Sequence, residues 1–275
     1  MPPGQTEWNT GAYLTEYYSR VEPTEELTLR FLSSALAELP AGGRALDVGA
    51  GPTLHHAIVL AGHVHEVHVA DLMPQNLRAI RRWQIGAADA HDWSAFTRAT
   101  LQLEGNRQPT DAEVAHREAM VRRRLTRVLI GDVRRQQVLG ELAETNYECV
   151  TSFFCADSVT ADLGDWMRYV RNIIGLIAPD GLLVLAALRR CESWRIGNNR
   201  FPSPCIDEHH LQFVLDAAGF DRGRQSIQIG EVPDQLHNGF ESIVLVSARA
   251  PQRAFVGSVR SETSTGTTAK IERSL

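Results

Sequence analysis

Arg44-Ala-Leu-Asp-Val-Gly-Ala-Gly-Pro-Thr53 is the stretch of sequence that decides the fold. Its residues from Ala45 to Val48 suit a buried parallel strand, and Gly49 and Gly51 remove Cβ atoms where the chain must turn sharply and a ligand must approach the backbone. The helix-forming residues that follow would direct the free N–H groups of a helix start towards that ligand. Leu54 stands where a dinucleotide-binding fingerprint has its third glycine, so the turn alone predicts a nucleotide-like ligand without deciding which.

The next predicted strand, Glu66 to Asp71, ends in a carboxylate. Asp71 follows the glycine turn by about twenty residues, the position from which an acidic side chain accepts hydrogen bonds from both hydroxyls of a ribose. Asn76 lies near the same edge, at the start of the following helix. The alternative is that Asp71 only caps that helix. We favour the ribose role because the glycine turn lies at the right separation upstream.

Strands and helices alternate along most of the remaining chain. The pattern predicts an amphipathic helix over residues 24–39 and further strands over 127–132, 147–157, 182–188, 225–229 and 242–248. We therefore predict an α/β fold, a Rossmann-like, mainly parallel seven-stranded sheet with helices on both faces.

The alternation lapses between Gly86 and Arg127, and we interpret residues 86–127 as an insertion. It contains a charged helix over 110–126, whose Arg122 to Arg124 we place on a solvated face. Residues 1–40 would form an N-terminal lid and helix, 41–250 the main domain, and 251–275 a disordered tail.

Composition argues against several classes of function. The chain has 275 residues, a formal charge of −5 and a pI near 6.1, which do not favour a nucleic-acid partner. No apolar run approaches the roughly eighteen residues that a membrane helix needs, and the start lacks the pattern of a secretory leader. We expect a cytoplasmic protein that acts on a small molecule, as a monomer or weak homo-oligomer.

Neither the cysteines nor the histidines show metal-site spacing, and we predict no metal. The cysteines lack a Cys-x-x-Cys pair and are interpreted as reduced core thiols: Cys149, Cys155, Cys191 and Cys205. Five histidines cluster near the glycine turn without forming a His-x-x-x-His pair, and we expect them to be surface or half-buried: His55, His56, His63, His65 and His68.

Aromatic residues crowd the segment ahead of the first strand: Trp8, Tyr13, Tyr17 and Tyr18. Such a segment can fold over a ligand as a lid, and it can equally be an ordinary amphipathic helix. The residues alone leave both interpretations open.

The predicted strand ends define a ligand. Gly49 and Gly51, Asp71, Asp132 and Asp157 would all lie at one edge of the sheet, where open α/β sheets bind ligands. They suit a ribose, a purine whose amine would donate a hydrogen bond to Asp132, and a zwitterionic group at the glycines. S-adenosylmethionine fits better than a dinucleotide, because it has no pyrophosphate and its sulfonium suits an acidic edge.

Several of these motifs together resemble the family of nicotinamide, phenylethanolamine and indolethylamine (thioether) N-methyltransferases. The resemblance runs from about Trp8 to Ala248 and rests on short motifs: Leu46 to Thr53, Ala70-Asp71 with Pro74 to Leu77, His91 to Ser94, Leu103 to Asn106, Asp132-Val133, Ser152 to Asp157, Asn172 to Gly181, and Ser193-Trp194 with Ile196-Gly197. It implies a class I methyltransferase that uses S-adenosylmethionine to methylate a small molecule, most often at an amine or ring nitrogen.

The resemblance also implies residue roles. Tyr13 and Tyr18 would be lid tyrosines, with Tyr18 near the cofactor carboxylate and Tyr13 between cofactor and acceptor. The remaining cofactor contacts would be Gly49, Ala50, Gly51, Thr53, His55, Asp71, Leu72, Asn76, Asp132, Val133 and Phe153. The acceptor site would comprise Tyr13, Asp157, Ala187, Trp194, Ser203 and Glu241, with Asp157 holding the amine or accepting its proton.

The chain also departs from that family. Ala187 stands where the nicotinamide enzyme has an aspartate, which argues against nicotinamide as acceptor, while Asp157, Glu192 and Glu241 offer counter-charge to a cationic amine. An enzyme that uses the sulfonium otherwise, by cyclisation or aminobutyl transfer with release of methylthioadenosine, is the main alternative. A non-enzymatic cofactor-binding protein is another.

Overall fold

The computed structural model describes residues 8–141 and 145–252. The tail predicted to be disordered lies, from residue 253 onward, outside the described residues. Within those two ranges no helix is long and apolar enough to span a bilayer.

A seven-stranded sheet forms the centre of the molecule. Its strands are β1 (Arg44–Val48), β2 (Glu66–Asp71), β3 (Leu125–Ile130), β4 (Tyr147–Phe153), β5 (Ile177–Leu188), β8 (Gln225–Glu231) and β9 (Ser242–Arg249). They lie in the order β3-β2-β1-β4-β5-β9-β8, and only β9 runs antiparallel to its neighbours, β5 and β8. The predicted mainly parallel Rossmann-like sheet is confirmed.

Eight helices within the described residues surround this sheet: α1 (Thr10–Tyr18), α2 (Pro23–Leu36), α3 (His55–His63), α4 (Pro74–Gln84), α5 (Ser94–Leu103), α6 (Asp111–Arg124), α7 (Leu163–Ile174) and α8 (Glu208–Ala217). Buried residues of α1 to α6 form one apolar core with one face of the sheet, and those of α7 and α8 form a second core with the other. The predicted placement of helices on both faces is therefore confirmed.

Residues 86–127 contain two helices rather than one. Besides the predicted charged helix, here α6, α5 begins at Ser94, and Trp93 and Phe96 are fully buried beside it. The arginine run is not simply a solvated face: Arg122 stacks its guanidinium 4.0 Å from the centre of the Trp83 ring, and Arg124 donates to backbone carbonyls of α3 and the residue after it. The apolar stems and planar groups of these arginines cover the core while keeping their charge hydrogen-bonded.

The segment after β5 also differs from the sequence-based expectation. Residues 193–202, for which no strand was predicted, form a two-stranded antiparallel hairpin, β6 (Ser193–Ile196) and β7 (Asn199–Pro202). Gly197 closes it with a φ of +54°, a conformation that glycine adopts without Cβ strain. Because the rings of Trp194 and Phe201 stack with centroids 4.7 Å apart, the hairpin presents them as one rigid unit.

Gly49 brings the turn after β1 into close contact with the segment after β4. Its φ is +70°, and a Cβ added there would lie 2.2 Å from Cys155 Sγ and 2.5 Å from Cys155 Cβ. Cys155 is partly exposed, Cys205 is exposed and only Cys149 and Cys191 are buried, so core burial holds for two of the four free thiols. The absence of a side chain at Gly49 is what lets the two sheet-edge segments meet.

We expect Gly49→Ala to destabilise the fold more than Gly86→Ala. Both glycines have a similar positive φ, +70° and +72°, but an added Cβ at Gly86 meets no atom within 4 Å among the described residues. Gly86→Ala should therefore cost about 1 kcal/mol from backbone strain, and Gly49→Ala roughly 2 kcal/mol more from overlap with Cys155. Chemical denaturation of both variants measures the difference, and equal losses would contradict the close contact.

Candidate active site

A cavity of about 720 Å³ opens at the carboxyl edge of the parallel strands. This volume lies in the range of small-molecule sites. Its wall includes the turn after β1, the ends of β2, β4 and β5, the segments after β3 and β4, helices α1 and α2, and the β6–β7 hairpin. The starts of α3 and α4 and the segment between β8 and β9 complete it. It is the position at which an open α/β sheet is expected to bind its ligand.

Asp71 is a buried carboxylate of this wall that accepts three hydrogen bonds. It is 8% exposed; its Oδ2 accepts from Gly51 N–H at 2.9 Å, and its Oδ1 accepts from Met73 N–H at 2.8 Å and Asn76 Nδ2 at 3.0 Å. Burial raises the pKa of Asp71, and these three donors lower it again in part. Asp71 therefore does more than cap α4, because its hydrogen bond from the Gly51 N–H also holds the glycine turn.

The glycine turn presents less free backbone than expected. α3 begins at His55 rather than at Thr53, the N–H groups of Gly49 and Ala50 both donate to Ala70 O, and the N–H of Gly51 donates to Asp71. The first-turn N–H groups of α3 remain without intrahelical partners, as at any helix start. The two glycines therefore leave space for a ligand, and the Gly51 N–H fixes the Asp71 carboxylate. They offer few free N–H donors.

Asn76 connects the Asp71 edge to the N-terminal segment. Its Oδ1 accepts hydrogen bonds from Trp8 Nε1 at 2.9 Å and from Thr10 Oγ1 at 3.0 Å, while its Nδ2 donates to Asp71. At the other end of α1, Tyr17 donates to Arg195 O at 2.6 Å. The helix thus lies along the cavity and is hydrogen-bonded on both sides of it.

Tyr13 is the centre of the aromatic cluster. Its ring lies 4.9 Å from Trp8, 5.2 Å from Tyr17, 5.4 Å from Tyr18 and 6.5 Å from Trp194, measured between centroids. All five side chains line the cavity. The cluster therefore forms a continuous aromatic part of the cavity wall.

His55 and His56 are buried, 3% and 4% exposed, so the expectation that they are surface or half-buried is wrong. His68 is fully buried as well, whereas His63 is half-buried and His65 exposed. His55 stacks on Trp93 and His56 on Phe153, and burial pushes the pKa of His55 well below its usual range. Both rings belong to the cavity wall. No cluster of metal-binding side chains occurs in the described ranges.

Asp132 lines the cavity beyond Asp71 and is paired with arginine. Arg134 donates to its Oδ1 at 2.7 Å and to its Oδ2 at 2.9 Å, and this pairing lowers the pKa of Asp132. The carboxylate therefore keeps part of its accepting capacity for a ligand and uses the rest on Arg134.

The structure brings most of the sequence-predicted site residues into this one wall: Tyr13, Tyr18, Gly49, Ala50, Gly51, Thr53, His55, Asp71, Leu72, Asn76, Asp132, Val133, Phe153 and Trp194. Four others are not part of it: Asp157, Ala187, Ser203 and Glu241.

Strand parity explains why Ala187 is absent from the wall. Successive residues of a strand point to opposite faces of the sheet, and Ala187 belongs to the core beneath α7 and α8, whereas Leu188 lines the cavity. Asp157 is outside the cavity wall as well. It is 1% exposed, lines a small void with Ala187 and Trp166, and accepts a hydrogen bond from the Leu188 N–H at 2.9 Å. It supports the end of β5 from behind the cavity.

Ser203 and Glu241 miss the cavity by one residue each. Pro202 and Phe240 line it, while Ser203 is buried behind β7 and Glu241 is exposed. In both places an aromatic or proline ring takes the wall position, and the polar neighbour points away.

Several wall residues were missed in the sequence. Glu25 of α2, His56, Gln235 and Phe240 all line the cavity. Only Glu25 carried a signal: with Leu29, Leu32 and Leu36 it follows the helical spacing of the apolar stripe, a place where a carboxylate is unusual.

These residues suit S-adenosylmethionine. A buried carboxylate and an amide lie where a ribose is expected, a turn without side chains adjoins them, and four carboxylates line the cavity against two arginines, one of them held by Asp132. A net acidic wall favours a ligand with a sulfonium. Fold and cavity together define a class I, S-adenosylmethionine-dependent methyltransferase.

The chain belongs to the NNMT/PNMT/TEMT family, whose model matches residues 4–249. It is 28% identical to the indolethylamine N-methyltransferase of Mus musculus, over 78% of this chain and 83% of that protein. It is 28% identical to the nicotinamide N-methyltransferase of Homo sapiens, over 78% and 82%, and 32% identical to the phenylethanolamine N-methyltransferase of Bos taurus, over 68% and 66%. The predicted family and cofactor are confirmed.

Solved structures confirm the fold. The CurJ carbon methyltransferase aligns with a TM-score of 0.53 and 14% identity over 91% of this chain and 61% of that one. A complex of DhpI aligns with a TM-score of 0.51 and 12% identity over 88% and 94%. At such low identity these similarities concern architecture only.

We expect Asp157→Asn to stabilise the protein increasingly as pH rises from 5 to 8. Burial raises the pKa of Asp157 to about 7 from an ordinary value of 3.8, so the folded state holds a proton that the unfolded state has lost. Stability of the wild type therefore falls as pH rises through this window, and the variant, which keeps an acceptor for Leu188 N–H, should gain roughly 2 to 3 kcal/mol relative to it. Denaturant unfolding at both pH values measures the gain.

Asp111→Asn, which changes a carboxylate that is 97% exposed, is the control for the loss of one charge. A difference between Asp157→Asn and the wild type that stays constant from pH 5 to 8 would contradict the burial of Asp157.

Proposed function

We propose that this enzyme transfers the methyl group of S-adenosylmethionine to the nitrogen of a small amine or ring compound. One observation carries the proposal: the cavity joins a ribose-type edge, Asp71 with Asn76, to an aromatic, acidic compartment at Tyr13, Trp194 and Glu25. The names of the relatives, which are N-methyltransferases of nicotinamide, phenylethanolamine and indolethylamine, support a nitrogen acceptor.

The residue roles follow from position in the wall. When bound, S-adenosylmethionine supplies an electrophilic methyl group on a positively charged sulfur. Asp71 and Asn76 would hold its ribose, the residues from Gly49 to Gly51 would leave room for its amino-acid part, and Asp132 with Val133 would contact its adenine. Tyr13 would separate cofactor from acceptor.

Alignment and the exclusion of water are what the chain contributes to the reaction. The nitrogen must lie about 3 Å from the methyl carbon and in line with the bond that breaks. Tyr13, Tyr17 and the stacked Trp194 and Phe201 would confine a flat acceptor in this direction, and α1 would keep water out.

Asp157 is reassigned from acceptor binding to support. Its carboxyl accepts the N–H of Leu188 and lies behind β5, so we infer that it fixes the Leu188 side chain against the cavity instead of receiving the proton of the amine. Ser203 and Glu241 receive no direct role for the same geometric reason. We also propose that the enzyme acts in the cytoplasm, as a monomer or weak homo-oligomer, and not on nucleic acid, in keeping with its formal charge of −5.

Product analysis tests the function. The protein is incubated with S-adenosylmethionine and, separately, indolethylamine, phenylethanolamine and nicotinamide, and the products are separated by mass spectrometry. Methyl transfer yields S-adenosylhomocysteine and an acceptor heavier by one methyl group. Methylthioadenosine as the nucleoside product would instead favour cyclisation or aminobutyl transfer and overturn the proposal.

We expect Asp71→Ala to weaken cofactor binding by about 2 kcal/mol, close to thirtyfold in Kd, because charge-assisted hydrogen bonds to the ribose are lost. Calorimetric titration with S-adenosylhomocysteine measures the change. Since Asp71 also holds the glycine turn, Asp71→Asn and unfolding curves of both variants separate loss of binding from loss of fold. The exposed Asp89→Ala is the control. Unchanged affinity in a folded Asp71→Ala protein would exclude the ribose role.

A further inference from the structure

Glu25 is a buried carboxylate that the roles above leave without a task. It is 5% exposed, lines the cavity, and its Oε2 has no hydrogen-bond partner in the part of the chain that the structure describes. A buried polar oxygen without a partner costs free energy, so such an atom is expected to meet a donor when the cavity is filled.

The side chains beside Glu25 belong to other elements than those of the ribose edge. Thr24, the neighbour of Glu25, donates through Oγ1 to Asp234 Oδ2 at 3.0 Å, and Gln235 Nε2 donates to the same oxygen at 3.0 Å. Asp234 and Gln235 lie between β8 and β9, whereas Asp71 ends β2. In the sheet order β2-β1-β4-β5-β9 four strand spacings lie between β2 and β9, roughly 19 Å.

Hydrogen bonds among Thr24, Asp234 and Gln235 hold this end of the cavity. Asp234 lies behind the wall and accepts from both Thr24 and Gln235, which line the cavity beside Glu25. The Glu25 oxygen without a partner is therefore held among side chains that are already bonded to each other, and behind the wall the buried Asp234 Oδ1 also has no partner among the described residues. We call Thr24, Glu25 and Gln235 the acidic end of the cavity.

The acidic end has no positive charge of its own. The charged groups that act most on Glu25 are Asp234 and Glu22, both negative. Of the two arginines in the wall, Arg134 is held by Asp132 at the far end and Arg200 donates to Ser193 Oγ. Burial, together with Asp234, raises the pKa of Glu25 to about 8, which the backbone N–H groups of Glu25 and Glu22 offset only in part.

Aromatic rings adjoin the acidic end. Tyr13 and Tyr17 lie with centroids 5.2 Å apart, and Trp194 stacks on Phe201. Rings of this kind hold the flat part of an arylalkylamine and attract a cation at their faces. An uncharged pyridine would find the aromatic surface here, but it could offer the Glu25 oxygen at most a neutral donor, such as the amide N–H of nicotinamide, and not the charge of an ammonium.

We propose that Glu25 selects acceptors that carry a cationic amine, by accepting a hydrogen bond from the ammonium group through its free Oε2. This proposal rests on the proposed function and names its substrate class: arylalkylamines, with uncharged pyridines such as nicotinamide disfavoured. Asp234 acts as a positioning residue, because it holds Thr24 and Gln235 around the carboxylate.

Glu25→Gln tests the proposal, with Glu26→Gln as the matched control. Glu26 is the next residue of α2 and is exposed, with a side chain 55% accessible and paired with Arg30. Each protein is saturated with S-adenosylhomocysteine and titrated calorimetrically with indolethylamine, phenylethanolamine and nicotinamide. KM and kcat are measured for the same compounds with S-adenosylmethionine.

In Glu25→Gln we expect the Kd and KM of both amines to rise about tenfold or more, from the loss of a charge-assisted bond, with kcat changed far less. Nicotinamide and S-adenosylhomocysteine should bind as in the wild type, and Glu26→Gln should leave every value unchanged. Asp234→Asn should weaken amine binding in the same direction but by a smaller factor.

Three results would overturn the proposal. The first is unchanged amine affinity in Glu25→Gln. The second is weaker S-adenosylhomocysteine binding in a Glu25→Gln protein with a wild-type thermal melt, which would assign Glu25 to the cofactor. The third is failure of the wild type to bind either amine. If Glu25→Gln loses its fold, unchanged amine affinity in Asp234→Asn has the same meaning. The proposed function fails separately, when the wild type binds the amines but transfers no methyl group.

Discussion

A buried carboxylate with three donors, Asp71, connects the parts of the sheet edge on which the cavity depends. It joins the turn after β1 through Gly51, the residues after β2 through Met73, and the start of α4 through Asn76. Because a buried charge is tolerated only while its hydrogen bonds are complete, these three segments are held in one arrangement. The same bonds that stabilise the edge orient the carboxylate that faces the ligand.

Charge is distributed unevenly along the cavity. Asp71 and Asp132 lie at the end formed by β2 and β3 and are bonded to protein donors, whereas the carboxyl of Glu25 at the opposite end keeps one oxygen unbonded. Between these ends the wall is mainly aromatic, with Asp47 and Arg200 as its charged members. A ligand pair with one cationic group near each end would complement this pattern, as a sulfonium cofactor and an amine acceptor do.

The sequence predicted those residues whose position follows from a strand end. Gly49 and Asp71 come directly after short apolar strands, so their place at the carboxyl edge follows from parallel pairing. The side chains around the acceptor were harder to place, because they depend on strand parity: a shift of one residue puts Ala187 on the far face and Leu188 in the cavity. Motif matching assigned Asp157 to the cavity, and its backbone bond to Leu188 turns it away.

Glu25 illustrates a different limit. An acidic residue in the first turn of a helix is ordinarily explained by the helix dipole, so the position of Glu25 on the apolar stripe of α2 does not by itself predict a site residue. Only the packing of α2 against the segment between β8 and β9 encloses it. Contacts between residues 24 and 234, far apart in sequence, follow from tertiary structure and leave no local pattern.

α1 is attached at both of its ends. Trp8 and Thr10 bond one end to Asn76, while Tyr17 and Glu16 bond the other to the β6–β7 hairpin through Arg195 O and Gly197 N–H. Loss of any one of these side chains would leave the other end of the helix attached. The N-terminal segment and the hairpin, which are far apart in the sequence, are thereby held to each other beside the cavity.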